Sequence, residues 1–173
     1  QDEAQVQSFV PRSPQALAVT EDAIFVGFVS LLATSRLRQG ERLPSVFLPG
    51  VVARFDRAQL DVPPQLTELP FLNPQYILQN EGRLFAVCSG VVEFDDDGPF
   101  IDSDGGLVEL DPQTGAVLDT IPLGRFGASH GVWSAGRLWV SSLIRADVQG
   151  LAFDGRPPVT FALGDGELDS IFR

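Results

Sequence analysis

The densest set of reactive side chains lies in EFDDDGPFIDSDGG, residues 93–106, where Asp95, Asp96, Asp97, Asp102 and Asp104 stand among glycines. Carboxylate oxygens on a chain that glycine lets turn tightly are what a hard cation such as calcium requires, at about 2.3–2.6 Å. DSDGG has the start of an EF-hand loop but lacks the distal Glu at the proper distance. A calcium site made by Asp95, Asp97, Asp102 and Asp104 therefore competes with a solvated acidic loop and with an acidic patch that meets a basic partner. His130, the sole histidine, could serve as a general base or a metal ligand, or simply line a channel. No grouping of Ser, His and Asp can be read from spacing. Cys88 is the sole cysteine, which excludes an internal disulfide and a cysteine metal cluster, and it reads as a buried inert thiol. Trp133 and Trp139 read as packing residues in preference to a ligand platform.

A second chemically distinct stretch is LLATSRLRQGERLPSVFLP, residues 31–49, basic and apolar in an acidic chain. Arg36, Arg38 and Arg42 stand there with Glu41 as the only acid. Residues 31–38 could form a helical turn before Gly40 and Pro44 end it. Arginine and large apolar groups suit the core of a contact, so the segment is either an interface or a loop folded over its own neighbours.

What must position these residues follows from composition and repeats. The 173 residues provide for one domain, and 44% hydrophobic content is ordinary for a folded one. Gly 17 and Pro 13 are scattered, as short strands joined by turns require. Acidic residues outnumber basic ones 23 to 12, for a net charge of -11, so a nucleic acid backbone would be repelled. No apolar run has the roughly 20 residues of a membrane helix. QDEAQVQSF lacks the basic and apolar regions of a signal peptide, although the chain could be the mature part of an exported protein.

Three imperfect copies of one unit run through the chain. Each opens on a short polar lead-in, Ser13-Pro14-Gln15, Asn73-Pro74-Gln75 and Ala128-Ser129-His130, followed by an apolar strand. Second strands align at Phe25, Phe85 and Trp139, two of them after the related turns Glu81-Gly82-Arg83 and Ala135-Gly136-Arg137. Third strands end in a large apolar residue and an aspartate: Phe55-Asp56, Leu110-Asp111 and Phe153-Asp154. These aspartates read as turn residues that accept backbone N–H groups two positions on. Fourth strands follow at 66–69, 117–121 and 159–163. The pattern predicts an all-β fold of β-propeller blades, each of four antiparallel strands: 13–72, 73–124 and 125–166. Residues 5–10 read as the outer strand of a preceding blade and 167–173 as the start of a further one. Three blades would expose two blade-sized apolar faces, which implies a larger ring of six or more blades completed by another chain or by missing blades of the same protein.

GRLFAV at 82–87 and GGLVELDPQTGAVLDTIPLG at 105–124 resemble the repeat of YVTN-type bacterial β-propellers, with Asp-Pro-x-Thr-Gly between strands and a closing Ile-Pro-x-Gly. The resemblance is close over those residues and partial in the other copies. It implies the fold, while the group's members range from lactone hydrolases to adhesion and surface-layer components and to haem or copper domains. The last kind uses several histidines, which one histidine does not match.

In a propeller, the connections into the first strand and between the second and third emerge on one face. That geometry would gather Ser13, Gln15, Asn73, Gln75, Arg125, Phe126, Ser129 and His130, with both enlarged loops, 31–49 and 93–104, rising beside them. The favoured expectation is a non-catalytic binding or assembly module, extracytoplasmic (periplasmic or cell-surface), with binding residues Asn73, Gln75, Arg125, Ser129, His130, Arg36 and Arg38 and with or without calcium. The alternative is a lactonase-like hydrolase with a central divalent metal and His130 in its site.

Overall fold

A computed structural model describes residues 13–29, 46–95 and 97–162, together with the backbone of 31–33, 36–38 and 41–43. The strands expected at 5–10 and 167–173, and the end of the strand at 159–163, lie outside the described residues. What is described is all β. Three four-stranded antiparallel sheets follow one another, each a meander in chain order.

The first sheet is β1 (Ser13–Val19) and β2 (Ala23–Val29), then, after four short inserted strands, β7 (Val51–Asp56) and β8 (Gln65–Glu68). The inserted strands are β3 (Leu31–Ala33), β4 (Arg36–Arg38), β5 (Glu41–Leu43) and β6 (Val46–Phe47), pairing β3 with β6 and β4 with β5. Where a helical turn was expected over 31–38, the described residues 31–33 and 36–38 are strand. The backbone groups of β4 pair with β5, Arg36 facing Leu43 and Arg38 facing Glu41. The second sheet is β9 (Pro74–Asn80), β10 (Arg83–Cys88), β13 (Gly105–Leu110) and β14 (Val117–Gly124), interrupted by the hairpin β11 (Val92–Asp95) and β12 (Gly98–Ile101). The third is β15 (Ala128–Ser134), β16 (Arg137–Ser142), β17 (Asp147–Leu151) and β18 (Val159–Ala162), with no inserted strands.

The tight turns form for local reasons. Glu81-Gly82 and Ala135-Gly136 each supply two consecutive left-handed residues, with φ of 47° and 79° and of 50° and 70°. Such a pair makes the mirror-image turn whose twist matches that of the strands it joins. Asp56, Asp111 and Asp154 each accept the backbone N–H two residues on, at 2.8, 2.7 and 3.2 Å. The backbone N–H groups of Thr114 and then Gln113 hold Asp111 below the ordinary aspartate pKa. A carboxylate depressed in the fold contributes stability above its unfolded pKa and loses it as pH falls through the lower folded value. Asp111→Asn should therefore narrow its stability gap to the parent chain as pH drops below about 4. Urea midpoints read across that range check the sign.

The third sheet departs from the expected register. Leu138 pairs with Leu151, as Leu84 does with Leu110 and Ile24 with Phe55. The counterpart of Phe55 and Leu110 is thus Leu151, two residues before Phe153, and Asp154 turns the chain after the strand has already ended.

Packing between sheets makes the core. One face of the second sheet, with Ile77, Leu84, Ala86, Cys88, Val108 and Leu110, packs on Ala16, Ala23, Phe25 and Val52 of the first. Its other face, with Leu78, Phe85, Val87 and Leu107, packs on Ala128, Leu138, Val140 and Leu151 of the third. Successive residues point to opposite faces of a strand, so β10 is apolar at every position from Leu84 to Cys88 because both its faces are covered. Arg83 closes the outer end of that second interface: it forms two hydrogen bonds with Glu109, of 2.7 and 2.8 Å, and lies over the rings of Phe153 and Phe85. The stacking is consistent with a propeller-like arrangement of blades.

Candidate functional site

The first strands lie side by side, β9 between β1 and β15, so their starting residues share one rim. The register slips near the start of each. Gln15 is the extra residue between Pro14 and Ala16, Gln75 between Pro74 and Tyr76, and in β15 Ser129 and His130 together face Ser141. A bulge adds one residue, breaks the strict alternation and re-aims the side chain beside it. It recurs in three sheets, with a polar residue at the extra position each time.

Sequence alignment of the lead-ins is off by one in the third copy. Gly127, with φ of 68°, takes the place of Asn73, with φ of 56°. The Gly127 carbonyl accepts from the Leu143 N–H as that of Asn73 accepts from Ser89. Ser129, not His130, is then the counterpart of Gln15 and Gln75, and His130 corresponds to Tyr76. These two rings meet, centroids 5.2 Å apart. Ser129 is buried, and its hydroxyl lies 2.6 Å from Nδ1 of exposed His130. Nδ1 is thereby occupied, leaving Nε2 for a ligand.

Asn73 does structural and polar work together. It is 5% exposed, and its Nδ2 donates to the Gly90 carbonyl at 2.8 Å. Its Oδ1 is buried with no hydrogen-bond partner among the described residues. Asparagine tolerates the left-handed backbone better than most residues, which an Asn-Pro lead-in could have signalled. Ser89 N–H to Asn73 carbonyl and Gly90 N–H to Leu72 carbonyl tie this lead-in to the segment after β10, and Ser142 Oγ donates to the Phe126 carbonyl in the next sheet. The lead-ins and the connections after second strands are therefore on one side, as expected.

Gln75 is half-buried and Gln15 exposed at this rim. Arg125 is exposed, its carbonyl accepting from Arg145. Arg36 and Arg38 sit in β4, where only the backbone is described. The expected calcium ligands do not gather. The hairpin puts Asp95 and Asp97 at its tip, where Asp95 accepts the Asp97 N–H, and Asp102 and Asp104 at or beyond its base, where the Asp102 N–H donates to Val91. Pairing of β11 with β12 separates the two carboxylate pairs, whereas a loop could have folded them inward. Asp96 lies outside the described residues. Among the described residues no three His, Cys, Asp or Glu side chains could hold a metal ion together. The described donors thus do not fit a divalent metal centre by themselves. Cys88 is fully buried, and burial pushes its thiol pKa far up, which matches an inert core thiol.

On the opposite rim, the first sheet and a turn of the second form a concavity lined by Glu21, Asp22, Arg54, Asp56, Arg57 and Gln113. Its lining mixes charges of both signs, and Arg57 bonds to the carbonyls of Thr20 and Glu21. Sequence reading missed it, because its members come from separate turns.

No family model matches the chain, and no curated protein does either. Among the described residues no helix is long and apolar enough to cross a membrane.

Proposed function

We propose that the chain is three successive blades of a larger β-propeller, of the kind its YVTN-like phrase resembles, and that it acts as a binding or assembly module. A partner is held at the rim carrying Gln15, Asn73, Gln75, Ser129 and His130, beside the hairpin of β11 and β12. The observation that carries this reading is the bulge repeated at the start of all three first strands. It supports a shared polar rim on a rigid scaffold, the usual place for recognition.

Gln15→Ala, Gln75→Ala and His130→Ala combined should leave thermal unfolding within a few degrees of the parent, because two of these side chains are exposed and one half-buried. Partner recovery from the native source should fall at least about tenfold, the loss of roughly 1.4 kcal/mol. A matched change on the opposite rim, Glu21→Ala with Arg57→Ala, should leave recovery intact. Loss with that second set and not the first would reject the rim. The hydrolase reading draws on the bond between Ser129 and His130. It requires lactone turnover that His130→Ala abolishes and that a chelator removes from the parent chain.

A further inference from the structure

Both ends of the stack present apolar faces. On the first sheet, away from the second, stand Leu17, Val19, Ile24, Val26, Phe55 and Leu66; Leu17 is 63% and Val19 54% exposed. On the third sheet, away from the second, stand Val132, Trp139, Val148 and Phe161; Val132 is 62% and Phe161 56% exposed. These ten positions are uncharged in a chain of net charge -11, with Glu68 and Arg137 the charged residues that the register places on the same faces.

Pairing within the sheets shows what each face is built to meet. Phe25, Phe85 and Trp139 occupy one position, opposite Ala18, Leu78 and Val132 on the neighbouring strand. Phe25 and Phe85 are fully buried against the following sheet, whereas Trp139, its ring over Gly150 and 5.6 Å from that of Phe161, has no following sheet among the described residues. Conversely, Leu17, Ile24, Val26 and Phe55 occupy the positions of Ile77, Leu84, Ala86 and Leu110, which the second sheet buries against the first. The free face of the third sheet thus matches the leading half, and the free face of the first sheet the trailing half, of an interface the chain already makes twice.

We propose that these faces meet between two copies of this chain, the third sheet of each packing on the first sheet of the other to close a six-bladed ring. The contact joins unlike faces head to tail, and such contacts make a ring when the rotation closes. This inference rests on the propeller reading. It is also specific to a pair of residues. Leu78 touches the Gly131 position, a Cβ there lying 3.1 Å from Leu78 Cδ2. Moved one sheet along, Leu78 becomes Val132, and Gly131 becomes Leu17 of the next copy.

Two single-cysteine additions, Leu17→Cys and Val132→Cys, test this on the whole chain, with Cys88 buried and unreactive. The parent should have a solution mass of two chains at micromolar concentration. Oxidising a mixture of the two variants should give a disulfide-linked pair that neither variant forms alone. Val132→Asp, placed on an exposed side chain so that the fold is kept, should convert the mass to one chain. A one-chain mass for the parent with no cross-link overturns the proposal while leaving a ring completed by further blades intact. A mass that keeps rising above two chains, with the cross-link present, overturns ring closure and with it the propeller reading. Cross-linking of Val132→Cys with itself overturns the head-to-tail contact.

Discussion

Phe85→Ala is expected to cost about 3–5 kcal/mol of folding stability, enough to leave a domain of this size largely unfolded at moderate temperature. Phe85 is fully buried between the second and third sheets. Its ring lies 5.2 Å from that of Phe153 and 6.2 Å from that of Trp133, and Arg83 covers it at 4.8 Å. Removing it leaves a cavity that stiff strands on both sides cannot close, and it takes away one surface of the Arg83 and Phe153 stack. Phe85→Leu, which refills most of the space, should recover more than half of the loss. Urea denaturation of both variants reads the effect. A loss under about 1 kcal/mol for Phe85→Ala would mean that the second and third sheets are not packed as described.

Gly90→Ala should also be strongly damaging, at about 3 kcal/mol. Gly90 follows β10 with φ of 72°, and an added Cβ would run into the Ser103 carbonyl and lie within 2.8 Å of that of Asp104. Those are backbone atoms that cannot swing aside, since the Ser103 hydroxyl is held by the Val91 N–H at 2.8 Å. The Gly90 carbonyl also accepts from Asn73 Nδ2 and Ser89 Oγ, so a displaced backbone here loosens the rim as well. Gly82→Ala separates the two contributions. Gly82 has φ of 79° and nothing within 4 Å of its Cβ position, so only the left-handed cost of about 1–2 kcal/mol applies. Equal losses at Gly82 and Gly90 would show that the collision at Gly90 is relieved.

The aspartate turns and the two Gly-containing hairpin turns were legible in the chain because their chemistry spans two or three residues. Asp111 finds the Gln113 N–H without help from distant strands. Register was not legible in the same way. Phe153 precedes an aspartate just as Phe55 and Leu110 do, yet it lies beyond the strand and packs as a ring on Phe85 and Trp133. An aspartate turn can follow a strand at once or two residues late, and only pairing of Leu138 with Leu151 decides which. The same limit explains the enlarged connections. Their apolar and acidic residues identify them as insertions, but whether 31–38 coils or pairs, and whether 93–104 gathers its carboxylates, depends on partners across a hairpin.

For the candidate site, the residue types at the three lead-ins were visible, and so was their common side. The bulges were not, since Gln15 and Gln75 read as the end of a polar lead-in ahead of each strand until the strands opposite them are counted. The contact of Tyr76 with His130 joins two sheets and has no local signal at all. By itself, then, the sequence determined the all-β class and the turns, because these arise from side chains acting on their own neighbourhood. The tertiary structure decided which face of each strand is covered, where the register slips, and that the acidic loop is a hairpin with its carboxylates held apart, because each depends on residues far along the chain competing for the same hydrogen bonds and the same space.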